Sequence, residues 1–584
     1  MDDLTLRYYD AEMRYLLEAG EEFARAHPEQ AAMLNLDKSG ARDPYVERLF
    51  EGFAFMMGRM REKLDDDLPE LTEGLVSLLW PHYLRTIPSM SVVEFTPDWR
   101  ELKEPMRLAR GFEVMSRPVG EKGTRCRYTT TRDITVLPLA LETVRLTTDG
   151  AGRSVVCLRF NGGPLADWSR LDLSQIPLYL NGDAPLASAL HEALTLNVAQ
   201  MTLRLPGETD ARPFAGHFSA QGFSEADRLW PGDEGGFSGY QLLLEYFTFR
   251  EKFMAVNLRG LETVELPAAL PWFEVEVVLV QRWEHDFRFS EKHLRLNTVP
   301  VINLFALESD PLTINGLQTE YLLRPMRVQD GHTEIYAVNT VISSGREHYV
   351  PFSSFRHKGG MLRHEAPEHY YHTRVRRGAS GLHETWLILG GEAFDNHTVA
   401  ENESLSVSVT GTNGQLPRRA LQSTLLDTAV SSTDVAIQVR NLFAPTLPCY
   451  PPSRDRFHWR VLSHLGSSFL WMMDNADVLR GTLALYDWTN SEMNRRRLEA
   501  IQHVCHKETE RFEQGYLLRG VQIEITLDSS GFAGSGDICL FGEMLSRFFA
   551  LYTDIHLFNR LILILQPTGE RLEWEEKHNR RISG

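Results

Sequence analysis

The run DPYVERLFEGFAFMMGRMREKL, residues 43–64, decides how the chain begins. Asp43 suits a helix N-cap, and Pro44 suits the first helical position, where a missing N–H and a fixed φ cost nothing. Val46, Leu49, Phe50, Phe53, Met57, Met60 and Leu64 then recur three and four apart, which draws one apolar stripe down a helix. At 1.5 Å rise per residue this is a rod roughly 33 Å long. Gly52 and Gly58 each cost about 1 kcal/mol relative to alanine inside a helix, so the sequence predicts close passage of another helix there. Upstream, Tyr9, Met13, Leu16, Gly20 and Phe23 mark a similar stripe over residues 4–27, stopped by His27 and Pro28. Downstream, a third helix is expected from about residue 69 to 79, ended by Pro81.

From Ser89 the hydrophobic period changes to two. Runs such as 92–95, 155–160, 178–180, 272–280, 299–304, 334–342 and 405–409 read as strands between Gly, Pro, Asn and Asp turn signals. Only short helices, for example 186–194, interrupt them. Pro445, Pro448, Pro451 and Pro452 mark a linker, because clustered prolines favour an extended connection. Beyond it the pattern is mixed: helices near 457–473 and 490–510, a strand carrying Val521, Ile523, Ile525 and Leu527, a glycine-containing turn, a helix carrying Ile538 to Tyr552, and an apolar, hence central, strand at 561–565. The expected fold is α+β and multi-domain: an N-terminal helical unit (1–88), β-rich stretches at 89–205 and 206–444, and an α+β C-terminal unit (445–584).

The chain has 584 residues, well beyond the ~250–300 at which one hydrophobic core stops growing. Its 43% apolar and 24% charged residues are those of a globular chain, and a net charge of -18 argues against binding to nucleic acid or anionic lipid. The acidic surface leaves open either solubility or a basic protein partner. Five widely spaced cysteines without a CxxC pair fit a reducing compartment. Asp2 and Asp3 follow Met1 directly, so no secretory signal is expected, and no apolar run reaches the ~18 residues of a bilayer span. The reading is a cytoplasmic protein.

The chemistry candidates are weak on spacing. His364, Glu365, Glu368, His369 and His372 resemble a metal cluster, but an HExxH site needs histidines four apart on one helix, and Pro367 would break that helix. His503, Cys505 and His506 lack a fourth ligand nearby and read as partly exposed helix positions. Asp65, Asp66 and Asp67 fit the end of one helix and the cap of the next. Gly531, Gly534 and Gly536 precede a helix, but in the order GxxGxG and with no lysine after them, so a strand-to-helix turn is expected in place of a phosphate loop. No GxSxG elbow is present. No catalytic residue, cofactor or metal is assigned. Two other classes stay open on the residues alone: a metal-dependent hydrolase using 364–372, and a β-rich module binding carbohydrate or peptide, which the strands and 11 tryptophans allow.

A family resemblance runs through the whole chain. Residues 8–16 (YYDAEMRYL), Glu22-Phe23-Ala24, His27-Pro28, Asp43-Pro44, 46–49, 51–55, Lys63 to Asp66 and 79–83 resemble, in order, the TssF family, also called VasA or ImpG. Gly239-Tyr240, Leu243, Glu245-Tyr246-Phe247, Lys252-Phe253, 300–305, Trp459-Arg460, Leu465, Arg519-Gly520, Leu540-Phe541-Gly542, 547–552 and Gly569-Glu570 continue the likeness. Arg250 stands where the family usually has proline, Gly414-Gln415 replace an Arg-Asp-like pair, and His556 replaces asparagine.

The resemblance implies a non-enzymatic wedge subunit of a type VI secretion baseplate. Two TssF copies are expected to wrap one TssG, with helices from all three forming a bundle that receives TssE. Wedges would close around the VgrG spike to support the sheath and tube for contractile effector delivery, and TssK would link them to the inner membrane complex. The amphipathic N-terminal helices suit such a bundle, since helical rods are stabilised chiefly by burying apolar stripes. The expected contact residues are Tyr9, Met13, Leu16, Phe23, Phe53, Met57 and Met60; Met56 belongs with them as an adaptable thioether.

Overall fold

The computed structural model describes residues 3–27, 45, 48–58, 76, 81–99, 101–164, 166–208, 211–231, 238–267, 270–283, 288–314, 318, 320–326, 332–345, 348–352, 369–378, 382–390, 403–419, 425–430, 433, 435–452, 457–465, 472–473, 475–513, 516–552 and 557–578. The chain forms two compact units: one of Met1–Leu84 with Ser453–Leu462, the other of Arg85–Pro452 with Ser463–Gly584.

The first unit is helical where it is described. Helix Asp3–Ala26 follows the predicted stripe, and residues 45 and 48–58 are helical as the 43–64 pattern requires. The two approach at Gly20, where an added Cβ would stand 3.7 Å from Cε2 of Phe50. At Gly52, by contrast, nothing among the described residues lies within 4 Å of such a Cβ. A close passage is thus seen at the glycine of the first helix; of the two glycines expected to mark one, Gly52 is exposed and Gly58 is buried. Asp65 to Asp67 and the expected third helix, apart from Val76, lie outside the described residues.

The second unit is built on strands. Among the described residues, a six-stranded sheet runs in the order Leu426–Ala429, Glu113–Val119, Thr124–Thr130, Thr298–Ile302, Met90–Pro97, Ile437–Asn441. The sequence boundary at 205/206 therefore does not separate sheets, because antiparallel partners for residues 90–97 come from 298–302 and 437–441. Val93, Phe95, Val114, Tyr128, Val299 and Val301 fill its core. The proline-rich stretch is an ordered strap. Thr446 donates its N–H to Met90 O at 2.8 Å, Ile87 and Cys449 form a β-bridge, and the Tyr450 ring stacks on His383 at 4.2 Å. It leads straight to the change of unit after Pro452.

At the C-terminal end, strands Tyr516–Asp528 and Leu557–Gln566 pair in parallel, joined by helix Ser535–Tyr552, as a parallel pair requires a crossover. Leu561, Ile562 and Leu563 are buried, and Arg571–Glu573 pairs on the far side, so the expected central strand is central. The expected helix over 490–510 is corrected. Helix Glu492–Glu499 stops at Ala500, and Ile501–Glu513 is a strand paired antiparallel with Tyr516–Asp528. Among the residues of this strand whose burial is described, only Ile501 and Val504 are buried, so the polar surface carries little period, and the downstream partner strand decides the conformation. His503, Cys505 and His506 accordingly sit on a strand.

Candidate partner interface

Residues 45–58 carry two apolar stripes where the sequence reading drew one. Phe50, Ala54 and Gly58, four apart, turn inward. Tyr45, Leu49, Phe53 and Met56 turn outward and are 82%, 68%, 52% and 60% exposed. Phe55 and Met57 are exposed beside them. On helix Asp3–Ala26, Tyr9, Met13 and Leu16 are half-buried and Phe23 is exposed, its ring tilted against His27 at 5.1 Å. Tyr15 is exposed on the same helix. In the segment Ser453–Leu462, which shares this unit, Phe457 and Val461 are buried four apart while Trp459 between them is exposed.

Of the expected contact residues, Phe23, Phe53 and Met57 are therefore open to solvent, Tyr9, Met13 and Leu16 are partly covered, and Met60 lies outside the described residues. Met56, expected beside them, is exposed as well, and Tyr15, Tyr45, Leu49, Phe55 and Trp459 are additions. The signal for most of them was present: Tyr45, Leu49, Phe53 and Met56 recur at four, four and three, a second stripe that an amphipathic helix with one buried face does not need. More than half of the exposed large apolar side chains among the described residues fall in this one unit. Contiguous exposed apolar surface on a helix is the mark of an association site.

The second unit buries a small set of paired charges. Asp537, fully buried, accepts from Arg497 Nε at 3.1 Å on both oxygens and pairs with Arg250. Arg250, the residue in place of proline, thus has its own structural use. Glu245 pairs with buried Lys252 and accepts the Leu229 N–H at 2.9 Å. Asn303, fully buried, donates from Nδ2 to Arg127 O at 2.6 Å and to Asn413 Oδ1 at 2.9 Å, and its Oδ1 accepts from Thr412 Oγ1 at 2.8 Å. Gly414 takes φ +54, and a side chain there would crowd the Glu334 carboxylate at 3.2 Å. The motif residues at 245, 252 and 303 are buried ties that specify the fold, and the exposed apolar face lies elsewhere.

The histidine-rich stretch contributes little that is described. His364, Glu365 and Glu368 lie outside the described residues; His369 packs its ring against Tyr349 at 4.9 Å, and His372 is half-buried on strand Tyr370–Arg377. Burial, with Arg374 adding to it, pushes the His372 imidazole below its usual range. Among the described residues no three His, Cys, Asp or Glu side chains gather as a metal would need, and no helix is long and apolar enough to cross a membrane.

The family model for the type VI secretion system protein TssF matches residues 1–581. The chain belongs to the TssF family. TssF1 of Pseudomonas aeruginosa, a type VI secretion system component, is 27% identical over the full length of both proteins. A chain in a TssK-TssF-TssG baseplate subcomplex is 59% identical, with a TM-score of 0.82 over 92% of this chain and 100% of that one. A chain of a type VI secretion baseplate complex is 55% identical, with a TM-score of 0.70 over 99% and 100%.

Proposed function

We infer that the chain is a structural, non-enzymatic wedge subunit of a type VI secretion baseplate, assembling with TssG and TssK. The observation that carries this reading is the outward apolar stripe of Tyr45, Leu49, Phe53 and Met56, in a chain 59% identical to one from a TssK-TssF-TssG subcomplex. Burying those four side chains against helices of TssG and of a second TssF copy would supply the hydrophobic stabilisation that a long exposed helix lacks on its own, at about 1.5–3 kcal/mol for each large side chain fully covered. In the complete assembly two copies embrace one TssG, the shared bundle receives TssE, and wedges surround the VgrG spike to seat the sheath and tube. The protein works in the cytoplasm, in a baseplate docked at the inner membrane complex through TssK.

Co-expression with TssG tests this. A stable complex whose mass, by light scattering, equals two copies of this chain and one TssG supports it; a monodisperse monomer indifferent to TssG overturns it.

A further inference from the structure

The second unit contains a cavity of about 540 Å³, which the buried ties at 245, 252 and 303 do not line. Its floor is one face of a four-stranded sheet in which Ala255–Arg259 lies between His217–Ala220 and Gln175–Leu180. Register places Ser219 opposite Asn257 and Gln175 opposite Arg259. Side chains two apart or directly opposite share a face, so these four form a polar floor. Phe218, Leu258 and Ile176 occupy the other face and are buried.

The walls are basic. Arg110, Arg132, Arg259 and Arg547 line the cavity against two carboxylates, Asp133 and Asp227, in a chain whose net charge is -18. Arg132 is committed to Asp227 at 2.8 Å, and Arg547 to Glu543 at 2.5 Å while lying over the Phe223 ring at 4.8 Å. Burial alone would raise the Asp227 pKa, but Arg132, the Ser224 hydroxyl and Lys252 override it and hold the carboxyl below its usual range. Arg110 and Arg259 are different. Both are exposed, and among the described residues neither makes an ion pair: Arg110 reaches the Arg228 carbonyl at 3.4 Å and Arg259 the Ser219 hydroxyl at 3.1 Å. On the floor, Asn257 is 7% exposed, and its Oδ1 is buried without a hydrogen-bond partner among the described residues.

We propose that the cavity bounded by Arg110, Arg259, Asn257 and Phe223 is a docking site for an acidic peptide segment of a partner protein. Its carboxylates pair with the two open guanidiniums. Phosphate alone fits less well: it is far smaller than the cavity, and Asp133 and Asp227 repel a dense polyanion. Arginine forks match carboxylates bidentately, and pockets of this size take ligands of a few residues. The site lies in a different unit from the apolar helices, so it goes beyond assembly through them.

Calorimetric titration of the full chain at low salt tests the proposal. The probe is a capped tetrapeptide with two central glutamates, compared with its glutamine counterpart and with inorganic phosphate. The acidic peptide is expected to bind at least tenfold more tightly than the glutamine peptide. Arg110→Ala and Arg259→Ala, both at exposed side chains and expected to leave the melting temperature unchanged, should each weaken it about tenfold. Asn257→Asp, which places a carboxylate on the floor, should abolish it. Absence of binding, displacement by an equal concentration of phosphate, or affinity unchanged in both arginine variants would overturn the assignment. Because the readout needs no TssG, its failure leaves the wedge reading standing, and failure of that reading leaves this one.

Discussion

Gly20 of the first helix faces the ring of Phe50 on the second, with 3.7 Å between a Cβ built on the glycine and Cε2 of the phenylalanine. That spacing is ordinary van der Waals contact, so one methyl fits and a larger side chain does not. Gly20→Ala should leave the fold intact and stabilise the first unit by about 0.5–1 kcal/mol, because alanine is the better helix former. Gly20→Leu should overpack the crossing and cost about 1–3 kcal/mol. Urea denaturation followed on the first unit distinguishes them, and equal destabilisation by both variants would refute the contact.

Phe53 and Ala54 are neighbours with opposite fates, one half exposed and the other fully enclosed. Phe53→Asp or Leu49→Asp should abolish co-purification with TssG while leaving the melting temperature of the isolated chain within about 2 °C. Ala54→Asp should unfold the first unit, because a charge placed in a closed site has no partner. If Phe53→Asp instead lowers the melting temperature as far as Ala54→Asp does, the outward stripe belongs to the core.

Asp537 holds two arginines inside the second unit. Asp537→Asn keeps the shape and removes the charge, leaving Arg250 and Arg497 without their carboxylate. A loss of about 3–5 kcal/mol is expected, the usual cost of breaking a buried pair from one side. A melting curve superimposable on the wild type would show that solvent reaches the site.

His191 is buried in helix Ala184–Thr195, and burial lowers its pKa to about 4, with Glu543 pulling it up and Arg250 pushing it further down. The folded chain therefore binds fewer protons here than the unfolded chain between about pH 4 and 6.5, and stability falls as pH drops through that window. The loss should reach roughly 3 kcal/mol by pH 4. His191→Gln removes the titration, so its stability should depend less steeply on pH than the wild type's. Identical slopes would place the proton elsewhere.

Much of the fold was legible because burial on one face leaves a period. Strands at 92–95, 155–160, 272–279 and 405–409 alternate or run apolar, and Leu561 to Leu565 announces a central strand. The strand Ile501–Glu513 left no readable period, because among its residues of described burial Ile501 and Val504 alone are buried, so its partner strand sets its conformation. Gly536 looked like turn chemistry; it is the point where helix Ser535–Tyr552 touches helix Ala184–Thr195, and a Cβ there would lie 2.2 Å from Ser188 O. The second stripe on 45–58 could be read, but only by asking why a helix with one buried face keeps Tyr45, Leu49 and Met56 apolar. The cavity arginines come from positions 110, 132, 259 and 547, brought together by topology that no local pattern encodes.

The first unit is discontinuous, its helical start separated from Ser453–Leu462 by the intervening body of the other unit. During synthesis, then, residue 84 leaves the ribosome roughly 370 residues ahead of residue 453, a wait of roughly 20–75 s at ordinary elongation rates. Throughout that interval the nascent helices lack the closing segment of their own unit, which makes translation the moment at which a chaperone or a co-translated assembly partner has freest access to them.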